Sequence, residues 1–248
     1  MKRAVVILLL LTAFSFTFGQ EVQEEKKGIV TYSDGQVRKK KVETSIWTPA
    51  IVNTEVFSGD QMRTYRQSRA ELDLEKLDII RLAPQTIIDI LKLYEETEEK
   101  KLKTQIKLEQ GEIWAKVHKI KMDTEFDISA PVAAAAITGT VLRLKVQEDT
   151  TTQLKVYSGE VKITNAPEKT SLKAKSLVVH EVPGPHEIPG PREVSVKEWL
   201  YIVKSMQQIT FDKKGKVLSK GVFTSQDDDE KSDWILWNQK RDKALKSQ

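Results

Sequence analysis

From Gly28 to His180 apolar and polar residues alternate mainly with period two, the period of a strand with one buried face. Leu102, Thr104, Ile106 and Leu108 alternate with Lys103, Gln105, Lys107 and Glu109. Leu142, Leu144 and Val146 alternate with Arg143, Lys145 and Gln147. Turn signals recur at Asp34-Gly35, Ser58-Gly59, Gln110-Gly111 and Ser158-Gly159, where glycine tolerates the positive φ of tight turns. Many short strands between such turns predict an all-β region.

Ile87 to Lys103 also fits an amphipathic helix. The preferred reading is two strands, Thr86–Tyr94 and Leu102–Glu109, joined by a charged turn over Glu95–Lys101. Leu108-Glu109-Gln110-Gly111-Glu112-Ile113 echoes Val156-Tyr157-Ser158-Gly159-Glu160-Val161, and Thr31 to Val37 is a looser third copy. Stacked β-coils give such echoes, and so do ordinary hairpins. On periodicity alone a β-sandwich and a β-solenoid are equally open.

Beyond His180 the pattern changes. Residues 181–194 read as a linker, with a tandem repeat, His180 to Pro185 followed by His186 to Pro191. Proline removes ladder donors, so an extended spacer is expected. Residues 195–248 read as an α-rich carboxy-terminal extension. Val196, Trp199, Leu200, Val203 and Met206 form a stripe at helical spacing, with Ser195 and Glu198 as a capping box and Val194 and Trp199 as a staple. A hairpin or loop follows at Lys213-Lys214-Gly215-Lys216. A last helix is expected from about Lys231 to Leu245, with Asp227 to Glu230 before its positive end.

The amino terminus carries a different signal. Lys2 and Arg3 precede the uncharged, mostly apolar stretch Ala4 to Phe18, and Gly19 closes it before Gln20 and Glu21. This predicts a cleavable signal peptide over residues 1–19, since the stretch falls short of the roughly 20 residues that span a bilayer. The mature chain is then expected outside the cytoplasm, periplasmic or otherwise extracytoplasmic. Removing Lys2 and Arg3 takes the net charge from +4 to +2, too balanced to argue for nucleic acid. Arg38-Lys39-Lys40-Lys41 reads as a solvated loop or strand edge. The chain has no cysteine, so no disulfide supports it and its apolar core must hold it.

Candidate chemistry is sparse. There is no cysteine nucleophile, Gly-x-Ser-x-Gly elbow, phosphate loop or dinucleotide fingerprint. His180 and His186, with Glu181 and Glu187, lie in a Pro/Gly spacer that offers no fixed ligand geometry. His118 reads as an exposed strand residue. Glu71 and Asp73 share a strand face through period two alone. Trp234 and Trp237 read as helix-docking residues rather than stacking platforms. No catalytic residue, cofactor or metal is expected.

Gly59-Asp60-Gln61-Met62-Arg63-Thr64, then Ser68-Arg69-Ala70-Glu71-Leu72-Asp73-Leu74, resembles the opening of FecR-like domains. Leu108 to Ile113 is similar to the family's central turn. Phe126 to Pro131, with Ala133, Ala135 and Gly139-Thr140, resembles its most diagnostic segment, and Val156 to Val161 its closing hairpin. Three departures stand: Ala130 where the family has Thr before Pro131, Thr138 where an Arg precedes Gly139, and Lys76-Leu77-Asp78 in place of an Asp-Gly turn.

The resemblance implies a mainly β fold over 28–180, β-solenoid or β-helix-like, with a β-sandwich as the alternative and a small helical extension. It marks Gly59, Asp60, Thr64, Ser68, Arg69, Gly111, Pro131, Gly139, Thr140 and Gly159 as structural motif residues. In its best-known setting the family relays a receptor signal across the inner membrane to a sigma factor, using a cytoplasmic region for which Met1 to Arg3 leave no room. The expectation is an exported, non-catalytic binding or scaffolding module with an envelope protein or glycan as partner. A remnant regulator that docks a membrane receptor is the alternative, and a glycan-active enzyme comes last. No nucleic acid and no stable membrane span after cleavage are expected.

Overall fold

The computed structural model describes residues 26–74, 78–118, 124–165 and 200–246. The chain is mainly β. In order come β1 (Gly28–Asp34), β2 (Val37–Lys41), β3 (Thr48–Pro49), β4 (Glu55–Val56), β5 (Asp60–Thr64), β6 (Arg69–Leu74), β7 (Asp78–Leu82), β8 (Ile87–Glu96) and β9 (Leu102–Lys116). Then follow β10 (Thr124–Ala130), β11 (Ala133–Ile137), β12 (Val141–Val146), β13 (Thr152–Ser158), β14 (Glu160–Thr164), β15 (Leu200–Lys204), β16 (Gln207–Phe211) and β17 (Val217–Val222). A 3-10 turn (Asp228–Lys231) and one helix, α1 (Asp233–Lys246), end the described chain.

These strands form two sheets. The first runs β4-β1-β6-β7-β9-β12-β13-β16-β17. The second runs β3-β2-β5-β8-β9-β10-β11-β14-β15. Strand β9 belongs to both, since residues before Gly111 pair with β8 and β10 and those from Gly111 onward with β7 and β12. The inward side chains of both sheets meet in one core, with Leu72, Ile80, Ile113 and Leu142 from one side and Ile88, Ile106, Ile128 and Ile163 from the other. Each such side chain contributes about 1.5–3 kcal/mol by leaving water. Ladders are antiparallel except β9–β10. Successive turns therefore do not stack in parallel register as in a β-helix, and the arrangement is sandwich-like.

The internal echo in the sequence has a physical origin. At Gly35, Gly111 and Gly159 the chain passes from one sheet to the other, with φ of +69°, +90° and +90°. Beside each glycine lies a neighbouring residue in the left-handed region: Gln67, Gln85 and Gly139, at φ of 52°, 57° and 65°. Its carbonyl oxygen would lie 2.8, 2.8 and 2.6 Å from a Cβ placed on the respective glycine. The next residue is a hydroxyl each time. Ser68 Oγ accepts from Gln36 N (2.8 Å), Thr86 Oγ1 accepts from Glu112 N (3.0 Å), and Thr140 Oγ1 donates to Glu160 O (3.1 Å). A corner of this kind needs glycine because backbone passes backbone without room for a side chain.

The strands expected at Thr86–Tyr94 and Leu102–Glu109 are present as Ile87–Glu96 and the longer Leu102–Lys116, as are the turn near Gly215 and the last helix. The helix expected from Val196 is not formed where it can be followed. Leu200–Lys204 is a strand paired with β14, register Val161↔Val203. Tyr201, Ile202 and Val203 are strand formers, and the free edge of β14 supplies their ladder bonds. Among the described residues of the stripe, Val203 reaches the core, while Leu200 and Met206 are exposed. The capping box, the staple, the linker 181–194, the His180/His186 repeat and residues 1–19 lie outside the described residues.

Candidate functional site

The outward face of the first sheet carries the most unusual chemistry. Period two puts Leu72, Ile80, Leu142 and Leu154 inside and their neighbours outside. The registers align those neighbours in one transverse row: Tyr32, Glu71, Arg81, Trp114, Arg143 and Lys155. An outward row normally meets water. Here Arg81 is 0%, Trp114 1%, Arg143 3% and Lys155 2% exposed. The cover is the segment from Phe223 to Asp242, which lies across the row as a strap.

Each buried cation finds an anion. Arg81 Nε donates to Glu71 Oε2 (2.6 Å) and its Nη1 to Asp242 Oδ1 (2.7 Å). Trp114 Nε1 donates to the other oxygen of Asp242 (2.9 Å). Arg241 of α1 returns to Glu71 with two bonds, at 2.8 and 2.6 Å. Along the row, Lys155 Nζ contacts Asp229 Oδ2 (2.7 Å) and Glu230 Oε1 (2.9 Å). Arg143 reaches the same two residues, and Tyr157 donates its hydroxyl to Glu230 Oε2 (2.8 Å). Asp229 and Glu230, expected to serve the helix dipole, instead neutralise the sheet.

Electrostatics follow from this geometry. Burial opposes ionisation of Glu71, yet hydrogen bonds from Arg241, Arg81 and Thr31 and the Arg81 charge hold its carboxyl at about 2. Asp229 is likewise lowered against burial by Lys155 and Arg143. Burial and the Glu230 carboxylate push the Tyr157 phenol up. Buried ion pairs of this kind cost desolvation, so their partners must all be present.

Apolar contacts complete the strap. Ile235 is fully buried with Ala83, Trp114 and Trp234. Trp237 stacks on Trp234 at 5.4 Å and meets Tyr32 at 5.3 Å. Both tryptophans dock the helix, as expected. Beside the strap lies a groove of about 1040 Å3 lined by Pro84, Glu112, Arg143, Lys145, Asp149 and Trp234, among others. Burial raises the Glu112 carboxyl against the pull of Arg143 and Lys145. The Trp234 indole N–H, buried and without a hydrogen bond of normal geometry, lies close enough to Glu112 to favour its charge.

The motif residues hold corners and are not gathered in one place. Asp60 is buried, accepting from Phe57 N (3.0 Å) and Lys39 Nζ (3.2 Å), next to Gly59 at φ +78°. Thr64 Oγ1 donates to Ala83 O (2.5 Å) and accepts from Thr86 N (3.0 Å). Ser68, Gly111, Gly139, Thr140 and Gly159 form the corners described above. Pro131 starts the β10–β11 turn. Arg69 alone joins the strap, pairing with Asp233. Sequence reasoning missed Arg81, Trp114, Arg143 and Lys155. Their only signal was a bulky or charged residue between core positions, which any solvent-facing strand shows. Of the two carboxylates that share a strand face, Glu71 is committed to two arginines, while Asp73 is raised by burial and by Glu71 and Asp78. His118 is exposed just beyond β9. Among the described residues no three His, Cys, Asp or Glu are placed to hold a metal, and no helix is long and apolar enough to cross a membrane.

Residues 60–162 match the family model described as FecR protein. No curated protein matches the chain. Two crystal structures of a candidate anti-sigma factor from Parabacteroides distasonis align with it, each with a TM-score of 0.45 and 14% identity over 67% of this chain. The alignment spans 61% of that protein's chain. From the buried Asp60 of β5 to Lys162 of β14, the chain carries a FecR domain.

Proposed function

We propose that this protein is an exported, non-catalytic binding module whose FecR domain recognises an envelope protein or glycan. One observation carries the reading. The polar groups concentrated on the first sheet are engaged by one another and by the strap, as a structural seam rather than as a poised acid, base or nucleophile. Surfaces remain for binding, and the basic start followed by an apolar stretch supports export. The test is cross-linking in intact cells followed by mass spectrometry. The expected result is a chain beginning at Gln20, recovered with one envelope component. Hydrolysis of cell-wall glycan by the purified chain, abolished by one carboxylate substitution, would overturn it.

A second reading, a regulator that docks a membrane receptor, is favoured by the FecR match itself. A sigma-dependent reporter that changes when the gene is deleted would select it over a passive scaffold.

A further inference from the structure

The open edge formed by β3 and β4 combines cations with exposed aliphatic loops. Between residues 26 and 56 there are six Lys or Arg against three Asp or Glu. Strand β2 carries Arg38, Lys39, Lys40 and Lys41 beside this edge. Lys39 is turned to Asp60, whereas Lys40 Nζ sits 5.3 Å from the centre of the Trp47 ring. Around them the loops show Ile46 at 72%, Ile51 at 68% and Val42 at 54% exposure, with Val52 close behind. Short strands, proline and charge ordinarily blunt the edges of soluble sheets, and β3 and β4 with Pro49 and the lysines supply these, but none of them calls for exposed aliphatics. Bare aliphatics flanked by lysines, with a tryptophan at the border, match instead the interface of an anionic bilayer. There apolar side chains enter the acyl boundary and cations meet phosphate.

We propose that this edge docks on an anionic phospholipid surface. Charge complementarity selects the lipid over an apolar protein groove, because the aliphatics are spread over two loops, one at each end of the β2–β3 ladder, with basic residues between them. The inference does not depend on export or on the identity of a protein partner.

The experiment is co-sedimentation of the chain from Gln20 to Gln248, within which every described strand and helix lies, with two vesicle types. One contains phosphatidylglycerol with phosphatidylcholine, the other phosphatidylcholine alone. Binding is expected only to the first and should fall as salt rises. Lys40→Glu with Lys41→Glu should weaken it by at least about 25-fold, about fivefold per charge removed. Ile46→Ser with Ile51→Ser should weaken it comparably while leaving the melting curve unchanged. Lys213→Glu with Lys214→Glu, at the exposed β16–β17 turn, makes the same change in net charge away from this edge and should weaken binding much less. Equal sedimentation with both vesicles, no sedimentation with either, or equal loss from the Lys213/Lys214 pair would each overturn the proposal.

Discussion

Arg81 and Glu71 stand opposite each other on adjacent strands, with Nε and Oε2 2.6 Å apart and both side chains almost wholly buried. Their burial depends on α1, which supplies Asp242 to the arginine and Arg241 to the carboxylate. The pair is therefore a joint between the sheet and the strap.

That joint is acid-sensitive. The Glu71 carboxyl is depressed from 4.5 to about 2 in the folded chain. A depressed carboxyl contributes stability above its unfolded value and loses it as pH falls through the folded value, here from about 4.5 to about 2. The contribution is about 2 kcal/mol after partial screening. Tryptophan fluorescence from Trp114, Trp234 and Trp237 should change in this window, and Glu71→Gln should flatten that part of the pH profile.

Removing one member of the joint costs more than removing both. Arg81→Met leaves Asp242 without its arginine and should destabilise by about 3–5 kcal/mol. Adding Asp242→Asn to Arg81→Met should recover part of the loss. A double-mutant cycle in urea measures the coupling, and strictly additive values would contradict the geometry.

Ile235→Ala tests the apolar half of the strap. The residue is fully buried against Ala83, Trp114 and Trp234. Loss of about 2–4 kcal/mol is expected, lowering the thermal midpoint by roughly 5–15 °C at this size. A change of under one degree would mean that the strap is not docked in solution.

The corners give a graded series. Gly111→Ala would set a Cβ 2.6 Å from Thr86 Cα, and Gly159→Ala one 2.6 Å from Gly139 O. Each should cost a few kcal/mol. Gly139 occupies the place that Gln67 and Gln85 fill at the other corners, so Gly139→Gln should be mild and Gly139→Val severe. The urea midpoint should fall least for Gly139→Gln and clearly further for Gly111→Ala, Gly159→Ala and Gly139→Val.

Much of the fold is legible in the residues alone. Period two placed Leu108, Ile113, Leu144 and Val156 in a core, because side-chain alternation is a local property of strands. The glycines at 111 and 159 signalled a positive φ, which is a local demand, but they read as hairpin turns, and at Gly111 the strand β9 instead continues from one sheet into the other. The helical spacing of Val196 to Met206 misled, because Leu200 to Lys204 could also satisfy their backbone on a neighbouring strand, and β14 was there to receive them.

The sequence by itself determined the strands between Gly28 and Thr164, the glycines of positive φ and the final helix, all of which depend on residues near one another in the chain. Only the tertiary structure decided what covers the outward row. Arg81 and Asp242 are far apart in sequence, and an arginine on an alternating strand looks the same whether water or a helix lies over it. Burial of a charge is worthwhile only when a partner arrives with the opposite sign and hydrogen-bonding geometry, and no local pattern encodes that arrival.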